Sequence, residues 1–218
     1  AYVTAFGLAS LAMAVLVWRS ALRPQRAHLR LEGRLFREIL RVGAISLLSP
    51  LQTILTTVIL TGFVARFGTA ALAGFGVGAR LELLQVPIVF AIAQVLVVMV
   101  GMNIGAGQGE RAKKIAWVGT GAAALVCLVV GGSVAIFPHL WVRIFSDDPA
   151  VLEIGGQYLS IVAPFYPLFG AGLTLYFASQ GSGQMLKPVL AGTARMAVVI
   201  AGGALVMQSG GPLWALFA

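Results

Sequence analysis

Three observations predict an all-α polytopic membrane protein. Charged side chains make up only 10% of the chain and hydrophobic ones 59%, against roughly 25% charged in an ordinary soluble domain. The mean hydropathy is correspondingly high, +0.96. The apolar residues come in long runs, and a helix needs about 20 of them to cross a hydrocarbon core roughly 30 Å thick. Within the runs the pattern is continuous, as at 95–99 and 122–130. A membrane β-barrel would instead alternate over segments of about ten residues.

Residues 1–18 are apolar, with no basic stretch before them and no small-residue cleavage pattern after them, which argues against a secretory leader. They read as the end of a transmembrane helix, and the chain, starting at Ala1, as part of a larger polytopic protein. A basic linker follows over 19–38. Arg19, Arg23, Arg26, Arg30, Arg34, Arg37 and Arg41 recur at steps of three or four, which places them on one helical face. Leu22, Leu29, Leu35, Phe36 and Leu40 fall mostly off that face, while Pro24 and Gly33 argue against one smooth helix. A cytoplasmic segment lying on anionic lipid and a plain positive-inside signal both fit this pattern.

Beyond the linker, 39–218 form a second transmembrane unit with spans expected at about 42–65, 70–102, 115–137, 151–178 and 189–207, and a further one beginning at 212–218. With the linker in the cytoplasm, alternation puts Arg111, Lys113, Lys114 and Lys187 on the same side and only Arg66 and Arg143 outside. Eleven basic residues inside against two outside is the asymmetry of the positive-inside rule. Segments 19–38, 103–114 and 180–187 are then cytoplasmic. The net charge of +8 is thus explained by membrane topology, and no nucleic-acid partner is expected. Outside, the segment 138–145 carries Trp141 as an interfacial anchor. Asp148 is positioned to cap the next helix, with Pro149 at its first position.

Chemistry-bearing residues are few. Cys127, the sole cysteine, sits mid-span among apolar residues, and His28 and His139 lie in different loops without cysteine or carboxylate at ligand spacing. No metal or cofactor is expected, and no Ser/His, paired-Asp or His-Glu pattern suggests an enzyme. Glu82, close to Arg80, is the one acidic side chain of seven placed deep within a span, Glu153 standing at the very start of 151–178. An intramembrane carboxylate is costly and marks an ion or proton pathway by default. Two positions fit it: a cavity wall, or the outer boundary, because 70–102 is about 50 Å long as one helix and exceeds the core. Arg80 and Glu82, two apart, do not face each other on a helix.

Ser46, Ser49, Thr53, Thr56 and Thr57 form a polar stripe with Gln52 at its edge. Gln52 and Thr56 are candidates to line a substrate cavity; hydrogen bonding to neighbouring helices or to their own carbonyls is the competing role. Pro50, Pro87, Pro164 and Pro167 are expected to kink their helices as hinges. Tyr166, Phe169, Tyr176 and Phe177 suit flat organic cations, or plain packing. Arg195, a charge inside 189–207, is expected to balance a carboxylate or hold carbonyls at a bundle interface. Gly105 and Gly107 let a span stop and turn tightly at the cytoplasmic surface.

The run Val98-Met99-Val100-Gly101-Met102-Asn103-Ile104-Gly105-Ala106-Gly107 with Glu110-Arg111-Ala112-Lys113-Lys114 resembles the multidrug and toxic compound extrusion (MATE) antiporters. Gly78-Ala79-Arg80-Leu81-Glu82, Pro87, Ile144-Phe145-Ser146-Asp147-Asp148-Pro149 and Gln180-Gly181-Ser182-Gly183 match in the family's order, from about Glu38 onward. The resemblance implies the second six-helix bundle of a twelve-helix transporter plus the end of the sixth helix, with a first bundle elsewhere in the protein. It implies a multi-pass protein of the plasma (bacterial inner) membrane, touching lipid and small organic cations or drugs. Efflux would be driven by sodium or proton antiport, with Glu82 the cation-coupling candidate and Arg80, Gln52, Thr56, Tyr166 and Tyr176 the substrate-cavity candidates. A lipid-linked oligosaccharide flippase of the same superfamily and a non-transporting scaffold subunit are the alternatives. Some branches carry acidic residues in the seventh and tenth helices; 43–65 and 154–178 have none here.

Overall fold

The computed structural model describes residues 2–19 and 33–218. It divides into two units, 1–44 and 45–218. In the first, α1 (Tyr2–Arg19) is an uninterrupted apolar helix whose Val3, Phe6, Leu8 and Leu11 are all exposed, the surface of a helix made for lipid or for another bundle. Residues 20–32 of the basic linker lie outside the described residues. Its last residues are helical: α2 begins at Gly33 and runs without a break to Ala65.

The second unit holds the rest of α2, α3 (Thr69–Gly105), α4 (Gly109–Ile136), a short α5 (Pro138–Val142), α6 (Pro149–Val162), α7 (Tyr166–Gly181) and α8 (Leu186–Ser209). Among the described residues no strand occurs, and five segments are long and apolar enough to cross a membrane: Ser46–Ala65, Thr69–Gly105, Gly109–Ile136, Pro149–Gly181 and Leu186–Ser209. Their outward faces are apolar, with Leu83, Val118, Val129 and Leu168 all exposed. A hydrocarbon or other apolar environment makes such a surface favourable.

Helix directions follow from which residues meet. Gly74 packs on Ile154, Gly78 on Tyr158 and Gly101 on Gly181, a constant offset of 80, so α3 runs parallel to α6 and α7. Gly131 meets Tyr166 and Gly170 meets Cys127, so α4 and α7 run antiparallel. Gln52 meets Gly192 and Phe63 meets Gly203, an offset of 140, so α2 and α8 are parallel. These glycines allow close backbone approach, the packing device of membrane helices. At Gly78 it is obligatory, since an added Cβ would lie 2.3 Å from Tyr158 Cδ1. The core between α3, α4, α6 and α7 centres on the buried Leu81, Val89, Val142 and Leu159.

Two ends of the bundle can be told apart. At one, α3 and α7 stop in the same way. Gly107 and Gly183 each adopt φ +74°, and the NH groups of Ala106 and Ser182 bond back to Met102 O and Ala178 O at 3.0 Å. The left-handed backbone there is what glycine permits at low cost. At the other end lie α5, the start of α6 and the α2–α3 turn at Gly68 (φ +102°). Asp148 caps α6 as expected, its side chain accepting from Ala150 NH at 2.9 Å, with Pro149 at the first position. Pro164 and Pro167 lie where α6 gives way to α7. They sit in the 3-10 turn Ala163–Phe165 and the first turn of α7, where their missing NH groups cost least. Pro50 and Pro87 lie inside α2 and α3. Where a further span was expected from 212, Leu213–Leu216 form a 3-10 turn.

Candidate functional site

Glu82 stands 13 residues into α3, about 20 Å from its start at 1.5 Å per residue. Its Oε1 accepts a hydrogen bond from the Tyr158 hydroxyl at 2.5 Å, and Tyr158 is buried nine residues into α6. The pairing follows from the α3–α6 packing, in which Gly78, one turn before Glu82, leaves the space the tyrosine ring fills. Phe75 and Phe217 meet that ring edge-on at 5.3 and 5.1 Å. A rigid aromatic box therefore aims the hydroxyl at the carboxylate.

Above the site, α5 forms a layer. Trp141 Nε1 donates to Val77 O at 3.1 Å, five residues before Glu82, and Trp141 packs on Phe145. Arg80 extends towards the same layer, its guanidinium 4.9 Å from the centre of the Phe145 ring. Arg80 and Glu82 thus point apart, as their spacing requires. Among the described residues no lysine or arginine forms an ion pair with Glu82.

Two further polar groups share this region without partners. Gln85, on the same face of α3 one turn further in, is 1% exposed, and neither its Oε1 nor its Nε2 has a hydrogen bond. The Tyr166 hydroxyl at the start of α7 is likewise buried and unbonded, within electrostatic reach of Glu82. Orphaned buried polar groups are costly and call for a partner. The carboxylate, the Gln85 amide oxygen and two phenol oxygens are hard donors of the kind that hold a proton or an alkali cation.

The remaining candidates lie elsewhere. On α2, Thr53, Thr56, Thr57 and Thr61 donate to the carbonyls four residues earlier, at 2.7–3.1 Å, so the stripe is largely turned inward on its own helix. Gln52 reaches across instead, Nε2 donating to Thr193 Oγ1 at 2.7 Å. The Tyr176 hydroxyl accepts from Gln180 Nε2 at 3.0 Å on its own helix. Arg195 donates to Thr53 Oγ1 at 3.0 Å. Gly105 closes α3, and Gly107 makes its turn. Tyr158 was missed in the sequence, where it is one more aromatic in an apolar helix. Its only signal is Gly78, four residues before the lone intramembrane carboxylate.

Five membrane-length apolar segments, with a carboxylate of one hydrogen-bonded to a buried tyrosine of another, define a multi-pass membrane protein with a polar interior site. The MatE family model matches residues 46–205, and the chain belongs to this family, the MATE transporters. Its relatives include the probable multidrug resistance protein NorM of Thermotoga maritima, 27% identical over 71% of this chain and 33% of that protein. The FAD transporter of Shewanella oneidensis is 29% identical over 57% and 27%. The multidrug export protein MepA of Staphylococcus aureus is 25% identical over 82% and 40%. The chain spans about a third of the length of these relatives.

Proposed function

We propose that this chain is the second bundle of a secondary active exporter that moves amphipathic, mainly cationic organic compounds out of the cell in exchange for sodium or protons. The protein would sit in the bacterial inner membrane, with the Gly107 and Gly183 turns cytoplasmic, the α5 layer outside and a first bundle completing the cargo path. It would carry no resident cofactor and make no change to its cargo. The observation that carries this reading is the Glu82–Tyr158 pair with the unpartnered Gln85 and Tyr166 beside it. Supporting it are relatives named as multidrug proteins over most of the described bundle.

Glu82 does the coupling in this account. Ionised, it carries a charge stabilised by the Tyr158 hydroxyl, and a sodium ion or proton neutralises it. Occupancy at Glu82 alters the packing of α3 against α6 and α7, and a ligand can shift a two-state equilibrium only through such a difference between states. Cargo binding in the path between bundles favours the opposite state. In energised cells, the full-length protein should extrude ethidium, and Glu82→Gln should abolish extrusion at unchanged membrane abundance. Undiminished efflux by that variant removes Glu82 from the mechanism; no gradient-driven efflux of any compound by the wild type removes the transporter reading.

A further inference from the structure

Arg195 has no role in the account so far, and its position is unusual. It lies nine residues into α8 and fourteen from its end, about 14 Å and 21 Å along the helix. Both distances put it inside the span rather than at either end. Yet the residue is exposed on the surface of the bundle. A guanidinium facing hydrocarbon at that depth is strongly unfavourable, so this face of α2 and α8 borders water or a polar partner.

The surroundings hold the guanidinium in place without neutralising it. Thr53 Oγ1 donates its own proton to Ser49 O at 3.1 Å and so offers only lone pairs to Arg195 Nη2. Thr193 Oγ1 is arranged in the same way, donating to Val189 O at 3.0 Å and accepting from Gln52 Nε2. The α2–α8 seam is tight at this level, since a Cβ on Gly192 would lie 2.4 Å from Gln52 Oε1. No carboxylate among the described residues forms an ion pair with Arg195. A guanidinium with five donors, one of them used by Thr53 and none by a carboxylate, is suited to recognise an anion.

We propose that Arg195, oriented by Thr53, is a cargo subsite for an acidic group, carboxylate or phosphate, on an aromatic organic compound. The chain then handles compounds that carry an anion as well as cations, with Arg195 selecting the former. This rests on the exporter reading above.

The test uses matched probes in transport assays on the full-length protein: a cationic rhodamine methyl ester against its free carboxylic acid, and riboflavin against riboflavin 5′-phosphate. Losing a charge-assisted bond should raise KM for the acidic member by roughly 10- to 100-fold in Arg195→Gln, leaving that of the uncharged or esterified member unchanged. Arg195→Lys should restore part of the loss. Thr53→Val, which keeps the shape of the helix, should raise KM for the acid by a few-fold and carries the test if Arg195→Gln does not accumulate. The two pairs tell carboxylate from phosphate recognition. An equal loss for both members of a pair overturns the subsite and assigns Arg195 to bundle packing. Unchanged KM values throughout, or a wild type that exports the ester but neither acid, overturn it too and leave the exporter reading standing. Export of none of the four probes overturns both.

Discussion

Gly78→Ala gives the sharpest mechanical test of how Glu82 is held. The new Cβ would lie 2.3 Å from Tyr158 Cδ1 and 2.8 Å from Cε1, so the ring must retreat by about 1 Å to reach ordinary contact. It has nowhere free to go: Phe75 and Phe217 meet it edge-on, and its hydroxyl is bound to Glu82. Overpacking of this kind costs about 1–3 kcal/mol. Losing the bond to the carboxylate costs about 1.5–3 kcal/mol, and better helix propensity returns about 1 kcal/mol. The net is a destabilisation of about 1.5–5 kcal/mol, or a fall in Tm of at least about 3 °C. Thermal unfolding of the purified full-length protein reads it. Gly76→Ala, with nothing within 4 Å of its Cβ, is the control and should be neutral or slightly stabilising. In a double-mutant cycle, Tyr158→Leu should relieve most of the Gly78→Ala cost. Equal Tm values for Gly78→Ala and Gly76→Ala, or strict additivity in the cycle, would refute the packing argument.

Two other outcomes follow from the same contacts. Tyr158→Phe keeps the ring and deletes the hydroxyl that stabilises ionised Glu82, so proton-driven efflux should reach its half-maximal rate at roughly tenfold lower proton concentration, with a smaller fall in Tm than Gly78→Ala, measured as initial rates against pH. Gly107→Ala forces a side chain into φ +74° and should cost about 1 kcal/mol, as should Gly183→Ala at the matching turn of α7; denaturation midpoints of the two variants check this.

The membrane class was readable because hydrophobic runs of span length admit one solution once every backbone group must be bonded internally. Local chemistry was also readable. The Asp148 cap and the Gly107 turn depend on neighbours within a few residues, and both form as their residue types dictate. The threonine stripe was visible as a stripe, but whether its hydroxyls face a cavity or bond back is settled by side-chain rotamers. Most of them bond back. Pro164 and Pro167 mark a helix interruption, but sequence spacing does not reveal that one sits in a 3-10 turn and the other in the first turn of the next helix. The site around Glu82 was half legible. A lone carboxylate announces itself, but Tyr158 reaches it through the parallel packing of α3 on α6, 76 residues away in sequence. Gln85 looked like an ordinary polar interruption, and only its burial without partners gives it weight.

Cation release on cargo binding tests the central claim most directly. With the purified full-length protein in weakly buffered detergent solution, ethidium addition should release protons or sodium in proportion to the bound dye, read by a pH indicator or a sodium electrode. Glu82→Gln should bind the dye and release neither. Release from Glu82→Gln equal to that of the wild type would contradict the account.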